Sequence, residues 1–264
     1  MITLRTTYIQ SELFWQDIDA NLAMLEEKIW AMDEATDIII LPEMFNSGFS
    51  MQAKQLAEPM NYSTFRWMGR MARKTNAAIV GSYIVKEASN YYNRLYWVEP
   101  DGSFSFYDKR HLFRMGKEHQ TFAAGKRRMV RNFRGFKVMP MVCYDLRFPV
   151  WSKNTYDAQN DAFDYDLLIY VANWPKPRTD TWTTLLKARA LENQSYAIGV
   201  NRIGADGEGI DYDGHSAIYD YKGKLMNSVT SQADIQTITL NLDELSEFRK
   251  NFPVYLDWDG FEIY

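Results

Sequence analysis

Cys143 is the only cysteine among 264 residues, and it stands where the apolar run 136–142 gives way to the charged turn Tyr144-Asp145-Leu146-Arg147. A strand behind and an open turn in front would hold a thiol rigidly and leave it accessible, as a nucleophile requires. Free cysteine is also among the most buried residue types, so plain packing is the competing reading. Two other side chains share this kind of place. Glu43 follows the apolar run 37–41 and Pro42, and Lys109 follows an aromatic strand ending near Tyr107. In open α/β sheets, sites form beyond the carboxyl ends of strands. If these three ends converge, a carboxylate can take the thiol proton and the thiolate can attack a carbonyl carbon. The ammonium, with the backbone N–H of Tyr144, can then hold the oxyanion. Taken singly, Glu43 could cap a turn and Lys109 could be a surface lysine.

The elements that must position these groups are legible as periodicities. Ile18, Leu22, Leu25, Ile29 and Met32 step by four, three, four and three, which is one face of a helix. Residues 2–10 read as a strand, and the unbroken run 37–41 reads as a strand covered on both faces. Phe65, Met68 and Ala72 mark a second helix before a buried strand over 77–85. Two aromatic strands then flank Pro100-Asp101-Gly102, a hairpin turn. A polar stretch over 114–131 contains Glu118. Beyond Cys143, residues 166–171 form a buried strand that runs into Ala172-Asn173-Trp174-Pro175-Lys176-Pro177-Arg178. Trp182, Leu185, Leu186, Arg189, Ala190 and Asn193 make a helical stripe, with Arg189 and Asn193 expected to tie that helix to strand ends. Strands are expected at 197–200, 216–219 and 235–242, ahead of an aromatic, helix-poor tail over 252–264. The alternation predicts a mixed α/β protein with helices outside its sheets. No repeat or linker divides it, so residues 1–264 read as one domain, with the tail from about 250 packing on it or on a second subunit.

Composition excludes several functions. The net charge is −4 with acids and bases interleaved, which gives no footprint for nucleic acid or an anionic membrane. Lys126-Arg127-Arg128 reads as a solvated turn. A single cysteine forms no internal disulfide and fits a reducing cytoplasm, and neither a signal peptide nor a membrane span is expected. His111, His119 and His215 lack metal-ligand spacing, and there is no G-x-S-x-G elbow or glycine-rich phosphate loop. Neither a metal nor an organic cofactor is expected. A Cys–His pair with His111 or His215 stays open as an alternative.

Three blocks resemble the signature of the nitrilase superfamily of carbon-nitrogen hydrolases. They are Leu41-Pro42-Glu43, then Asp108-Lys109-Arg110-His111-Leu112-Phe113, then Val142-Cys143-Tyr144-Asp145-Leu146-Arg147-Phe148-Pro149. Ala172-Asn173-Trp174-Pro175, residues 187–193 and Gly214-His215-Ser216 resemble further blocks in the same order. The runs 143–151 and 172–178 are most similar to the bacterial omega-amidase branch. The resemblance implies a four-layer α-β-β-α sandwich and a Glu43–Lys109–Cys143 triad. Glu118, ahead of Gln120-Thr121-Phe122-Ala123-Ala124-Gly125, matches a second family glutamate. Val150 replaces a glutamate common after the proline, and Ala124 replaces a common proline.

The expected reaction is hydrolysis of the terminal amide of a small omega-amide keto acid. The resemblance implies 2-oxoglutaramate, giving 2-oxoglutarate and ammonia through a cysteine thioester. The alternatives are nitrile or carbamoyl hydrolysis on the same triad, or a catalytically silent binding protein of the same fold. Arg178 is the candidate to pair with a substrate carboxylate, with Trp174 as an apolar wall beside the carbon chain. Arg147 and Arg202 are rivals, Arg147 reading more as scaffold beside Asp145. The aromatic tail, from Phe252 to Tyr264, and the family habit of pairing sandwiches lead to an expected homodimer or larger homo-oligomer.

Overall fold

The computed structural model describes residues 1–263. Its main elements, in chain order, are β1 (Thr3–Gln10), α1 (Ile18–Trp30), β2 (Ile38–Ile40), α2 (Ser63–Thr75), β3 (Ala78–Glu87), β4 (Asn90–Val98) and β5 (Phe104–Asp108). There follow β6 (Arg131–Phe133), β7 (Phe136–Val142), β8 (Leu167–Ala172), α3 (Thr179–Asn193), β9 (Tyr196–Asn201), β10 (Ala217–Tyr219), β11 (Asp234–Asn241) and α4 (Leu242–Asn251).

The strands form two main sheets. The first has the order β11-β1-β2-β3-β4-β5, and a short strand at Glu58–Pro59 pairs with β3. The second has the order β10-β9-β8-β7-β6. β1, β2 and β3 are mutually parallel, as are β7, β8 and β9, while the hairpin partners and β11 run antiparallel. The run at β2 shows why the sequence is apolar without alternation. Ile38 and Ile40 face a core shared by both sheets, whereas Ile39 faces α1 and α2 beside Leu25 and Met68. On the far side, Trp182 and Leu186 of α3 pack over β9, where a Cβ on Gly199 would meet Leu186 at 2.3 Å. The layers are therefore α-β-β-α, the sandwich the resemblance implied.

Residues 242–251 depart from expectation. The strand ends at Asn241, and a helix begins. The Asn241 side chain accepts the N–H groups of Asp243 and Glu244 at 3.0 and 3.3 Å, an N-cap with acids in the first turn. Arg249 on this helix then inserts its guanidinium between strand starts. It donates to Asp166 Oδ1 at 2.7 Å, to the Gln194 carbonyl at 2.9 Å and to the Tyr165 carbonyl at 3.0 Å. After the helix, Tyr255 packs its ring on Tyr156 and Phe163 of the same chain, at centroid separations of 4.4 and 4.8 Å. Tyr264 lies outside the described residues. Among them, no helix is long and apolar enough to cross a membrane.

Because Arg249 is 5% exposed and paired with a buried carboxylate, removing its charge strands Asp166 Oδ1 and takes a donor from the Gln194 and Tyr165 carbonyls. Arg249→Met keeps most of the volume and is expected to cost about 3–5 kcal/mol. Urea unfolding should show a lowered midpoint with an unchanged slope. A loss below about 1 kcal/mol would place this arginine among surface pairs of little worth.

Candidate active site

β2 and β3 run parallel, and two antiparallel steps, β3 to β4 to β5, return the chain to the same direction. The carboxyl ends of β2 and β5 therefore lie on one edge of the first sheet. Glu43 follows one end and Lys109 the other. Met44, next to Glu43, has a positive φ of 43°, and its N–H donates to Ser82 Oγ at 3.0 Å. From the second sheet, the ends of β7 and β8 bring Cys143 and Asn173.

These residues meet in a dry, charged box. Glu43, Lys109 and Glu118 are each at most 1% exposed. The Lys109 ammonium donates to Glu43 Oε1 at 2.7 Å and to Glu118 Oε1 at 3.0 Å. Asn93 of β4 donates its amide to the same two oxygens, at 2.8 and 3.0 Å. The remaining oxygen of Glu118 accepts the Phe113 N–H at 2.6 Å. The remaining oxygen of Glu43, Oε2, accepts the Asn173 N–H at 2.9 Å. The Asn173 side chain returns a hydrogen bond to the Glu43 backbone carbonyl at 2.6 Å, and the Asn173 backbone carbonyl accepts from Cys143 Sγ at 3.8 Å.

Cys143 sits in a sharp turn with φ of 43°, a left-handed backbone that a non-glycine residue adopts only when its surroundings force it. Asp145 supplies much of that force. Its carboxylate, fully buried, accepts the Val142 N–H at 3.1 Å, the Tyr107 hydroxyl at 2.8 Å and the His111 N–H at 3.0 Å. It thereby ties the nucleophile turn to the segment that carries Lys109. Arg189 on α3 adds a bond of 2.6 Å to the Leu146 carbonyl, the structural role expected of it.

Electrostatics follow from this burial. Desolvation alone would lower the Lys109 pKa, but the charges of Glu118 and Glu43 outweigh it and hold the ammonium raised. Burial pushes the Glu118 carboxyl up, Lys109 opposes that, and Glu43 adds to it. Burial also pushes the Cys143 thiol well up, and the negative charge of Glu43 adds to this against the pull of Lys109. The cysteine therefore rests as a thiol. An arrangement of this kind needs a base at the moment of attack rather than a standing thiolate.

The thiol opens onto a cavity of about 230 Å³, below the roughly 300–1,000 Å³ of sites for drug-sized ligands. Phe113, Trp174 and Tyr212 wall it, and Lys109, Arg147 and Arg178 bring positive charge to it. A wider groove of about 1010 Å³ between α1 and α2 holds none of these chemical groups, and its Glu26 and Arg70 are paired with each other.

The structure thus brings together Glu43, Lys109, Glu118 and Cys143, and places Trp174 and Arg178 on the same cavity. Tyr144 lies beside them, its ring edge-on to Phe113 at 5.2 Å. Arg147 differs from expectation. Asp145 is satisfied by other donors, and the Arg147 guanidinium instead lies over the Trp174 ring at 4.8 Å, on the cavity. Arg202 is the structural arginine, donating to the carbonyls of Ile203 and Ala205. The Cys–His alternative loses its partners: His111 is bonded to Asp145 Oδ1 at 2.8 Å, and His215 to the Asp213 carbonyl at 2.9 Å. Asn93 and Asp145 were not recognised as parts of the site in the sequence. The one available signal for Asn93 was a β-disfavoured amide inside an otherwise aromatic strand.

The carbon-nitrogen hydrolase family model matches residues 5–250. The chain belongs to this family. Omega-amidase YafV of Escherichia coli (strain K12) is 42% identical over 262 residues, 99% of each chain. A 2-oxoglutaramate amidase of Bacillus subtilis (strain 168) is 31% identical over 253 residues, covering 94% of this chain and 95% of that one. The crystal structure of XC1258 from Xanthomonas campestris is described as a CN-hydrolase superfamily protein with an arsenic adduct in its active site. It aligns over 100% of both chains at 40% identity, with a TM-score of 0.97.

Proposed function

We propose that the protein is an omega-amidase that hydrolyses the terminal amide of 2-oxoglutaramate to 2-oxoglutarate and ammonia. The observation that carries this reading is the buried Glu43–Lys109–Glu118 box beside a thiol that opens onto a small cavity bearing two arginines. The similarity to YafV and to the Bacillus enzyme supports the substrate class.

In this reading Glu43 Oε2 takes the Cys143 proton as sulfur bonds to the amide carbon. The carbonyl oxygen becomes an oxyanion held by Lys109 and the Tyr144 N–H. Glu43 passes its proton to the departing nitrogen, ammonia leaves, and an acyl thioester remains. Glu43 then takes a proton from water, whose oxygen attacks the thioester carbon. The carbon–sulfur bond breaks, the proton returns to sulfur, and the acid leaves. Glu118 keeps the Lys109 ammonium in place throughout. A carboxylate at the far end of the substrate pairs with Arg178 or Arg147, while Trp174 contacts its carbon chain. The whole chain acts as one cytoplasmic domain.

The protein is also read as a homodimer. Val150, Leu191, Phe252 and Leu256 are 57, 44, 55 and 64% exposed. The segments that carry them are bonded neighbours. Lys153 reaches the Glu192 carbonyl, and Gln194 reaches that of Phe252. Such an apolar area fits a second copy. Light scattering at micromolar concentration should give twice the chain mass, and a monomer would remove this part of the reading.

Cys143→Ala should abolish ammonia release from 2-oxoglutaramate while leaving the fold and unfolding midpoint nearly unchanged. Ammonia release from nitriles but not from omega-amides would move the protein to another reaction of its family, and full activity in Cys143→Ala would end the thioester mechanism.

The two arginines make separable predictions. Whichever binds the carboxylate, its alanine variant should raise KM for the acid, with a smaller change in kcat, because the contact is remote from the reacting carbon. Preference for the acid over its methyl ester should fall by roughly tenfold or more on losing a charge-assisted pair. If both Arg178→Ala and Arg147→Ala keep the wild-type preference, neither arginine reads the carboxylate.

A further inference from the structure

Asn93 is fully buried on β4 and belongs to neither of the groups that react nor the cavity wall. Its contacts are unusual for a core amide. The side-chain nitrogen gives its two hydrogens to two different carboxylates, Glu43 Oε1 at 2.8 Å and Glu118 Oε1 at 3.0 Å. The side-chain oxygen, equally buried, has no protein partner among the described residues. A structural asparagine is normally satisfied at both ends, and an orphaned buried acceptor costs free energy. Reversing the amide would aim its oxygen at two carboxylate oxygens, so the orientation is dictated by them. The backbone of the same residue also accepts the Lys109 N–H at 3.0 Å.

We infer that Asn93 is a positioning residue that decides which oxygen of Glu43 acts as the base. This rests on the reading of Glu43 as the general base. Oε1 is saturated by Lys109 and Asn93, at 2.7 and 2.8 Å. Oε2 accepts the Asn173 N–H at 2.9 Å, with the Asn173 side-chain amide farther off at 3.5 Å, and lies on the Cys143 side, because Asn173 contacts both. Two neutral donors from one amide also help a single ammonium hold two carboxylates ionised in a desolvated box. Burial favours protonation of Glu118, and the Asn93 hydrogen bond opposes it by donating to the ionised form. An amide is suited to this role because it donates twice and carries no charge of its own.

The sign of the effect follows. A donor lost from an ionised carboxylate disfavours the charged form, so the carboxylate pair takes up a proton at higher pH. The acidic limb of kcat/KM for 2-oxoglutaramate should then move to higher pH in Asn93→Ala, by about one unit. kcat should fall about tenfold or more with KM little changed, since the substrate is not touched. Asn93→Asp, which places a third carboxylate in the box, should be worse than alanine. Asn93→Ser keeps one donor and should lie between alanine and wild type, and it serves in place of alanine if that variant fails to fold. Urea unfolding gives the folded fraction of each variant, so kcat can be expressed per folded site. A merely structural role would lower the folded fraction and leave the limb where it was. Glu43→Gln runs alongside. If it is inactive while the Asn93 variants keep the wild-type limb and kcat, the inference fails alone. If Glu43→Gln stays active, the general-base reading fails first.

Discussion

The structure depends on one buried cation. Lys109 carries its charge into a space closed off from solvent, and it is tolerable there only because Glu43 and Glu118 lie 2.7 and 2.9 Å from its nitrogen. Removing one partner from such a group leaves a charge with no solvent to answer it, so the trio is fixed as a unit. Much of the surrounding fold serves to fix it. β2 and β5 deliver Glu43 and Lys109, the short helix at Glu118–Thr121 delivers the second acid, and the Asn93 amide joins the two acids from above. The thiol gains nothing from being pre-ionised here. Burial pushes its pKa well up, the charge of Glu43 adds to this, and in the proposed mechanism that same carboxylate takes its proton.

The long apolar runs were the most legible part of the sequence. β2, β7 and β8 are buried almost throughout, on both faces. The strand-end positions of Glu43, Lys109 and Cys143 followed from those runs, and the order of the three blocks gave the family. Glu118 was visible only through the resemblance, because nothing in a polar stretch shows which acid will fold inward.

What stayed hidden has a common physical cause. Asn93, Asp145 and Tyr107 act through bonds to residues far away in the chain, such as the 2.8 Å contact between Tyr107 and Asp145. Periodicity reports which face a residue takes and not what it meets there. Arg147 was misread for the same reason: its neighbour in sequence is Asp145, but its neighbour in space is Trp174. The helix Leu242–Asn251 does not stand out in the sequence, because Asn241 and the acids at 243 and 244 follow directly on a strand.

The division of the site between sheets has a consequence for the life of the chain. Glu43, Lys109 and Asn93 stand on the first sheet or just past its strands, whereas Cys143 and Asn173 stand at the edge of the second. Neither sheet alone holds both the thiol and the carboxylate beside it. Until the two faces close on each other, the chain carries an ordinary cysteine in water. Docking of the sheets is what brings the thiol to Glu43 and Lys109, so the site and the completed tertiary structure arrive in the same event.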